Sequence, residues 1–226
     1  MIKYHPQHEL LSLHIKGELP LSMSLAISAH AELCDICQQK LNRLTECETA
    51  ATFDNNTESN ISVDLDSEMS SLLAHMMQDT LDELDANPAQ PYNEGVTEVT
   101  VKDQSYPLPR AFRHQINAQW QGIGKVSRLR LNTGEEQSRA SLLHIAPQGE
   151  IPEHTHKGSE LTLLLAGEFS DEYNTYRPGD FMLLDENHQH SPKTMTGCLC
   201  YTIVDAPLYF TKGFSKLLNP IGELLY

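Results

Sequence analysis

Between Gly149 and Gly167 the chain reads Gly149-Glu-Ile-Pro-Glu-His154-Thr-His156-Lys-Gly-Ser-Glu160, then six residues before Gly167. Two histidines one residue apart face the same side on an extended strand, where side chains alternate with period 2. Glu160 shares their parity and can return to the same cavity. Further on, Pro178-Gly-Asp180 opens a strand pair that ends in His188-Gln-His190-Ser-Pro. From Thr97 onward, short β-branched and apolar runs such as VTEVTV, RLRLNTG, LTLLLAGEFSD and CLCYTIVDAP alternate with turn signals. Strands at that spacing predict an antiparallel sandwich or barrel. Paired histidines on a strand can also do no more than satisfy hydrogen bonds on a sheet surface. The glutamate, the two glycines and the later histidine argue against that here.

The first part of the chain has a different texture. Leu10, Leu11, Leu13 and Ile15 fit a short helix over residues 7–16, ended by Gly17 and Pro20. A longer helical pattern runs from Leu21 through Leu25, Ile27, Leu33, Ile36 and Leu41 to Leu44. The polar stretch 48–62 has no period and reads as a loop. Helical spacing resumes at Leu65, Met69, Leu72, Leu73, Met76, Met77, Leu81 and Leu84, an amphipathic stripe suited to packing or to a partner. DANPAQPY over 85–92 breaks the helix and reads as a linker. At 226 residues the chain exceeds a usual single domain of about 100–150. The expectation is therefore a two-domain α + β protein: a small zinc-binding helical bundle over 1–85, a linker over 86–96, and an antiparallel β-barrel over 97–226.

The helical part carries its own chelating pattern, His30-x3-Cys34-x2-Cys37. At about 100° per residue these positions fall near ~0°, ~40° and ~340° on one helix face. Imidazole and two thiolates suit Zn²⁺, which prefers tetrahedral N/S coordination and needs one more ligand for a closed structural site. His5, which precedes the first helix, is the expected fourth ligand, with His8 and His14 as weaker rivals. Cys47 has no partner nearby and is expected to be a small core residue. In the second part, His154, His156 and Glu160 share a face, and the later strand pair ends in His188 and His190. His190 is preferred to His188 because it directly precedes Ser-Pro at the strand end.

Charge narrows the partners. The net charge is −15, and residues 1–90 carry 15 acidic against 4 basic residues. Such a surface repels phosphate backbones, which argues against direct nucleic-acid binding and fits a basic protein partner. No apolar run is long enough to span a membrane, and His, Lys and Glu interrupt the first 18 residues, so no membrane contact and a cytoplasmic location are expected. Five cysteines, two pairs of them closely spaced, read as metal or redox positions rather than as a disulfide framework.

The motif from Gly149 to Gly167 together with Pro178-Gly-Asp180 and His190 is similar to the cupin signature, although the Gly149–His154 spacing is one residue shorter than the commonest form. The resemblance implies a jelly-roll barrel in which His154, His156, Glu160 and His190 bind one metal, and a set of three histidines and one carboxylate accepts Zn²⁺, Fe²⁺, Mn²⁺ or Ni²⁺. His5 with His30-Ala-Glu-Leu-Cys34-Asp-Ile-Cys37 resembles the zinc-binding anti-sigma domain. The order of the two modules resembles the ChrR-type anti-sigma factors over nearly the whole chain. That resemblance implies sequestration of an extracytoplasmic-function sigma factor and its release, through the cupin, on singlet oxygen or related oxidative stress. Cys198-Leu-Cys200 matches a Cys-x-Cys of that family. The rival expectation is a cupin metalloenzyme, such as an Fe²⁺ dioxygenase, carrying a zinc interaction module.

Overall fold

The computed structural model describes residues 1–54, 69–72, 74–76, 97–116 and 118–211. Three helices lead the chain: α1 (His8–Ile15), α2 (Leu21–Leu33) and α3 (Asp35–Asp54). Among the described residues twelve strands follow, of which β3 (Gln121–Ile123), β4 (Val126–Arg130), β5 (Arg139–Ile145), β7 (Glu160–Gly167), β10 (Phe181–Leu184) and β11 (Cys198–Val204) form one antiparallel sheet in the order β10-β7-β11-β5-β4-β3. Three strand pairs complete the architecture: β1 (Thr97–Val101) with β2 (Gln104–Leu108), β6 (His154–His156) with β12 (Leu208–Phe210), and β8 (Phe169–Ser170) with β9 (Thr175–Tyr176). N-terminal helices followed by an antiparallel cupin sheet are the expected fold class. Residues 1–46 and 97–226 form one compact unit, and residues 47–96 a second.

Strands β5, β7 and β11 are buried along most of their length because both of their faces are covered. One face carries Leu142, Leu161, Leu163, Leu199 and Tyr201, which share a core with Leu11, Leu25, Ala26 and Ile27 of α1 and α2. The other face carries Ile145, Leu164, Cys198 and Cys200, packed with Phe169, Tyr176 and Met182. Polar groups fix where α2 lies. The Glu135 carboxylate accepts the backbone N–H of Ser22 (2.7 Å) and its hydroxyl (2.6 Å), satisfying donors that a helix N-terminus leaves open. The buried Tyr201 hydroxyl donates to the Ser22 carbonyl at 2.9 Å.

Two local expectations are corrected. The helix expected to run unbroken from Leu21 to Leu44 is interrupted at Cys34, whose backbone is extended (φ −132°, ψ 97°). Its thiol therefore reaches the chelating group from a break between two helices. Residues 48–54 of the expected loop over 48–62 are instead helical, since α3 continues to Asp54, and the rest of that stretch lies outside the described residues. The polar residues toward the end of α3 are exposed, and the Thr52 hydroxyl donates to the Glu48 carbonyl at 2.8 Å. Residues 69–72 and 74–76 are helical, with Met69, Leu72 and Met76 exposed. The rest of that expected helix, and the expected linker, lie outside the described residues.

Candidate metal centres

The N-terminal group assembles from three places: His5 in the segment before α1, His30 in α2, and Cys34 and Cys37 on either side of the start of α3. One ligand atom from each lies within 4.8 Å of the other three. His5 Nδ1 stands 3.4 Å from Cys34 Sγ and 3.5 Å from Cys37 Sγ. Zinc bonds of roughly 2.0–2.3 Å at a tetrahedral angle place N and S about 3.6 Å apart, so the spacing fits that ion. His30 donates Nδ1–H to the Gly179 carbonyl at 2.7 Å, which leaves Nε2 as the lone-pair nitrogen. That Nε2 is buried without a hydrogen-bond partner, as a metal ligand would be. Burial pushes His30 down to about 4, against the pull of the Gly179 carbonyl. Burial, then the neighbouring Cys34, pushes the Cys37 thiol up to about 11. Without an ion the buried His30 ring and Cys37 thiol are favoured neutral, and metal binding must displace the Cys37 proton.

The second group lies inside the barrel. His154 and His156 face inward from β6, Glu160 opens β7, and His190 pairs with His154 across an isolated bridge. His190 Nε2 is 3.0 Å from His154 Nε2 and 3.4 Å from His156 Nε2, while Glu160 Oε2 is 2.5 Å from His156 Nε2 and 3.9 Å from His190 Nε2. All four side chains are buried. Burial opposes ionisation of Glu160, but the His156 hydrogen bond and the three imidazoles prevail and hold its carboxyl down at about 2. Burial, then His190, pushes His154 down to about 4. An anionic carboxylate and neutral imidazoles are the protonation states a divalent ion requires. Outer partners orient the rings: His154 Nδ1 donates to the Pro152 carbonyl at 2.9 Å, and Asp171 Oδ2 stands 3.5 Å from His190 Nδ1. A cavity of about 110 Å³ adjoins this group, walled by Leu143, Ile151, Phe169, Met182 and Cys200.

All eight residues expected as ligands thus fall into two clusters of four. His188 lies outside, half-buried, with Nδ1 2.7 Å from Asp185 Oδ1. His8 is exposed, and His14 approaches Ser28 instead. Cys47 is exposed rather than a core residue, because α3 turns it toward solvent. Cys198 and Cys200 are both free and buried, and the hydrogen bond with Cys198 together with burial pushes the Cys200 thiol upward, which disfavours the reactive thiolate. Sequence reasoning missed Asp171, Gly179 and Asp180 as supports. The Pro178-Gly-Asp180 motif was the available signal, but it marked a turn without showing what the turn would touch.

Residues 110–206 match the ChrR Cupin-like domain family. Over 229 residues the chain is 31% identical to the anti-sigma-E factor ChrR of Cereibacter sphaeroides, covering 99% of each. The chain belongs to the ChrR family of anti-sigma factors. The crystal structure of Rhodobacter sphaeroides SigE in complex with the anti-sigma ChrR is similar over 91% of this chain and 100% of that one, with a TM-score of 0.62 at 26% identity. Membership of a family of anti-sigma factors indicates a regulator rather than an enzyme. No described helix is long and apolar enough to cross a membrane.

Proposed function

We propose that this ChrR-family protein is a zinc-dependent anti-sigma factor of the cytoplasm. Residues 1–85 form the module that sequesters an extracytoplasmic-function sigma factor, and 86–96 join it to a cupin over 97–226 that triggers release under singlet oxygen or related oxidative stress. The observation that carries this reading is the end-to-end match to ChrR, which covers the helical part as well as the barrel. Zn²⁺ at His5, His30, Cys34 and Cys37 holds the front module in shape. Zn²⁺ or another divalent transition ion at His154, His156, Glu160 and His190 arms the barrel, where imidazole ligands are targets for singlet oxygen. The excess of acidic residues in the front part supports binding to the basic surface a sigma factor presents, and argues against direct contact with DNA.

The test is capture of a purified sigma factor of that class by the full chain. Capture is expected with the wild type and lost with Cys34→Ser. Illumination with a photosensitiser is expected to release the partner from the wild type and not from the doubly substituted His154→Ala/His156→Ala chain. Failure of the metal-loaded wild type to capture such a sigma factor would overturn the reading. Normal light-driven release from the double variant would remove the cupin from it.

A further inference from the structure

The Pro178-Gly179-Asp180 turn of the barrel supports the N-terminal cluster at two points. Gly179 offers its carbonyl to His30 Nδ1 at 2.7 Å, which fixes the ring and its tautomer. Asp180, 1% exposed, accepts the backbone N–H groups of Lys3 (2.7 Å) and Tyr4 (3.2 Å) through Oδ1, and that of Arg177 (2.8 Å) through Oδ2. Phe181 N–H then donates to the Tyr4 carbonyl at 3.0 Å, so the segment carrying His5 is annealed onto the turn. Gly179 has φ +94°, a conformation that strains any residue with a side chain, and a Cβ there would also press on the Ile2 side chain, 2.3 Å from Cδ1. The Phe181 ring stacks edge-on to His30 at 5.8 Å.

From these contacts we infer that the Gly179–Asp180 turn is the outer shell of the N-terminal metal centre, so that the barrel itself sets how tightly that centre holds its ion. The inference deepens the proposed function and rests on that cluster being a metal centre. It supplies a route from barrel to front module that does not pass through residues 86–96. From the segment held by the turn, a chain of contacts leads toward the cupin cluster: the Tyr4 ring packs on Tyr176 at 5.4 Å, the Tyr176 hydroxyl donates to Asp171 Oδ2 at 3.3 Å, and Asp171 Oδ2 stands 3.5 Å from His190 Nδ1. Asp180 is a positioning residue here: it is not one of the four ligands, and acts through the backbone N–H groups of Lys3 and Tyr4.

The experiment is transfer of metal from the zinc-loaded full chain to a chromophoric chelator, which needs no sigma factor. Two ions per chain should leave the wild type in separate phases, and Cys37→Ser identifies the front phase by deleting it. Removing an outer-shell partner typically weakens a centre about 10–100-fold, so Asp180→Ala should accelerate the front phase by that order and leave the barrel phase unchanged. Asp180→Asn, which keeps one carbonyl acceptor, should give a smaller change. Lys3→Pro deletes the donor of the 2.7 Å bond from the other side of the contact and should accelerate the same phase. If Asp180→Ala fails to fold, Asp180→Asn and Lys3→Pro carry the test. Front-phase rates within twofold of wild type in the folded variants would overturn the proposal. One ion per wild-type chain, held in the barrel, would instead sink the metal reading of the front cluster.

Discussion

Glu135 caps helix α2 across 113 positions of sequence, taking both the backbone N–H and the hydroxyl of Ser22 on one carboxylate. A charged acceptor at a helix N-terminus answers orphan donors and the helix dipole together. Glu135→Ala is expected to destabilise the protein by about 1–2 kcal/mol. Chemical denaturation followed by circular dichroism measures this, and an unchanged midpoint would contradict it.

The three cysteines of the helical part should separate cleanly by metal content. Cys34→Ser and Cys37→Ser each remove a thiolate from the front cluster and should cost one bound ion per chain. Cys47→Ser, at an exposed position on α3, should keep the full complement. Elemental analysis of the purified, dialysed variants distinguishes these outcomes.

Asp171 is expected to tune the cupin centre through His190. Burial opposes ionisation of Asp171, but the bond to His190 and the backbone N–H groups of Asn174 and Tyr173 prevail and hold its carboxyl below the usual range. Asp171→Asn should lower metal affinity at the barrel about 10–100-fold. Competition with a chelator of known affinity reads this, and the ratio to wild type is the quantity of interest.

Acid should weaken the metal-free chain from an identifiable cause. His30 and His154 are both pushed down to about 4 by burial, from an ordinary value of 6.5. Between those limits the unfolded chain binds protons that the folded chain refuses, so stability rises with pH there. Stability is fully present above about 6.5 and is lost progressively as pH falls toward 4. Denaturant midpoints of chelator-treated protein across that interval should fall with decreasing pH. A flat profile would mean that neither histidine is buried neutral.

Most of the barrel was legible because its signals are local. His154 and His156 declare a strand by parity, and Glu160 and His190 fall where glycine and proline turns return the chain to the same interior. His5 was also reachable from sequence, because a three-ligand set lacks a fourth and His5 precedes the fixed helices. What escaped was set by tertiary contact. The break at Cys34 has no proline or glycine to announce it and exists where the thiol meets His5. The solvent side of Cys47 depends on α3 running past the point where its polarity suggested a loop. The supports at Asp171, Gly179 and Asp180 act on residues far away in sequence, and no spacing rule reaches that far.

The hydrogen bond from His30 to Gly179 spans 149 positions, and that from Lys3 to Asp180 spans 177. Synthesis on the ribosome proceeds from the N-terminus, so the front cluster emerges long before the groups that brace it. A nascent chain therefore carries a chelating site that is chemically complete but mechanically unfinished until its barrel has been made. The front cluster acquires its final bracing last, although its ligands are among the first residues translated, and a regulator built this way is assembled in the opposite order to the one in which it is written.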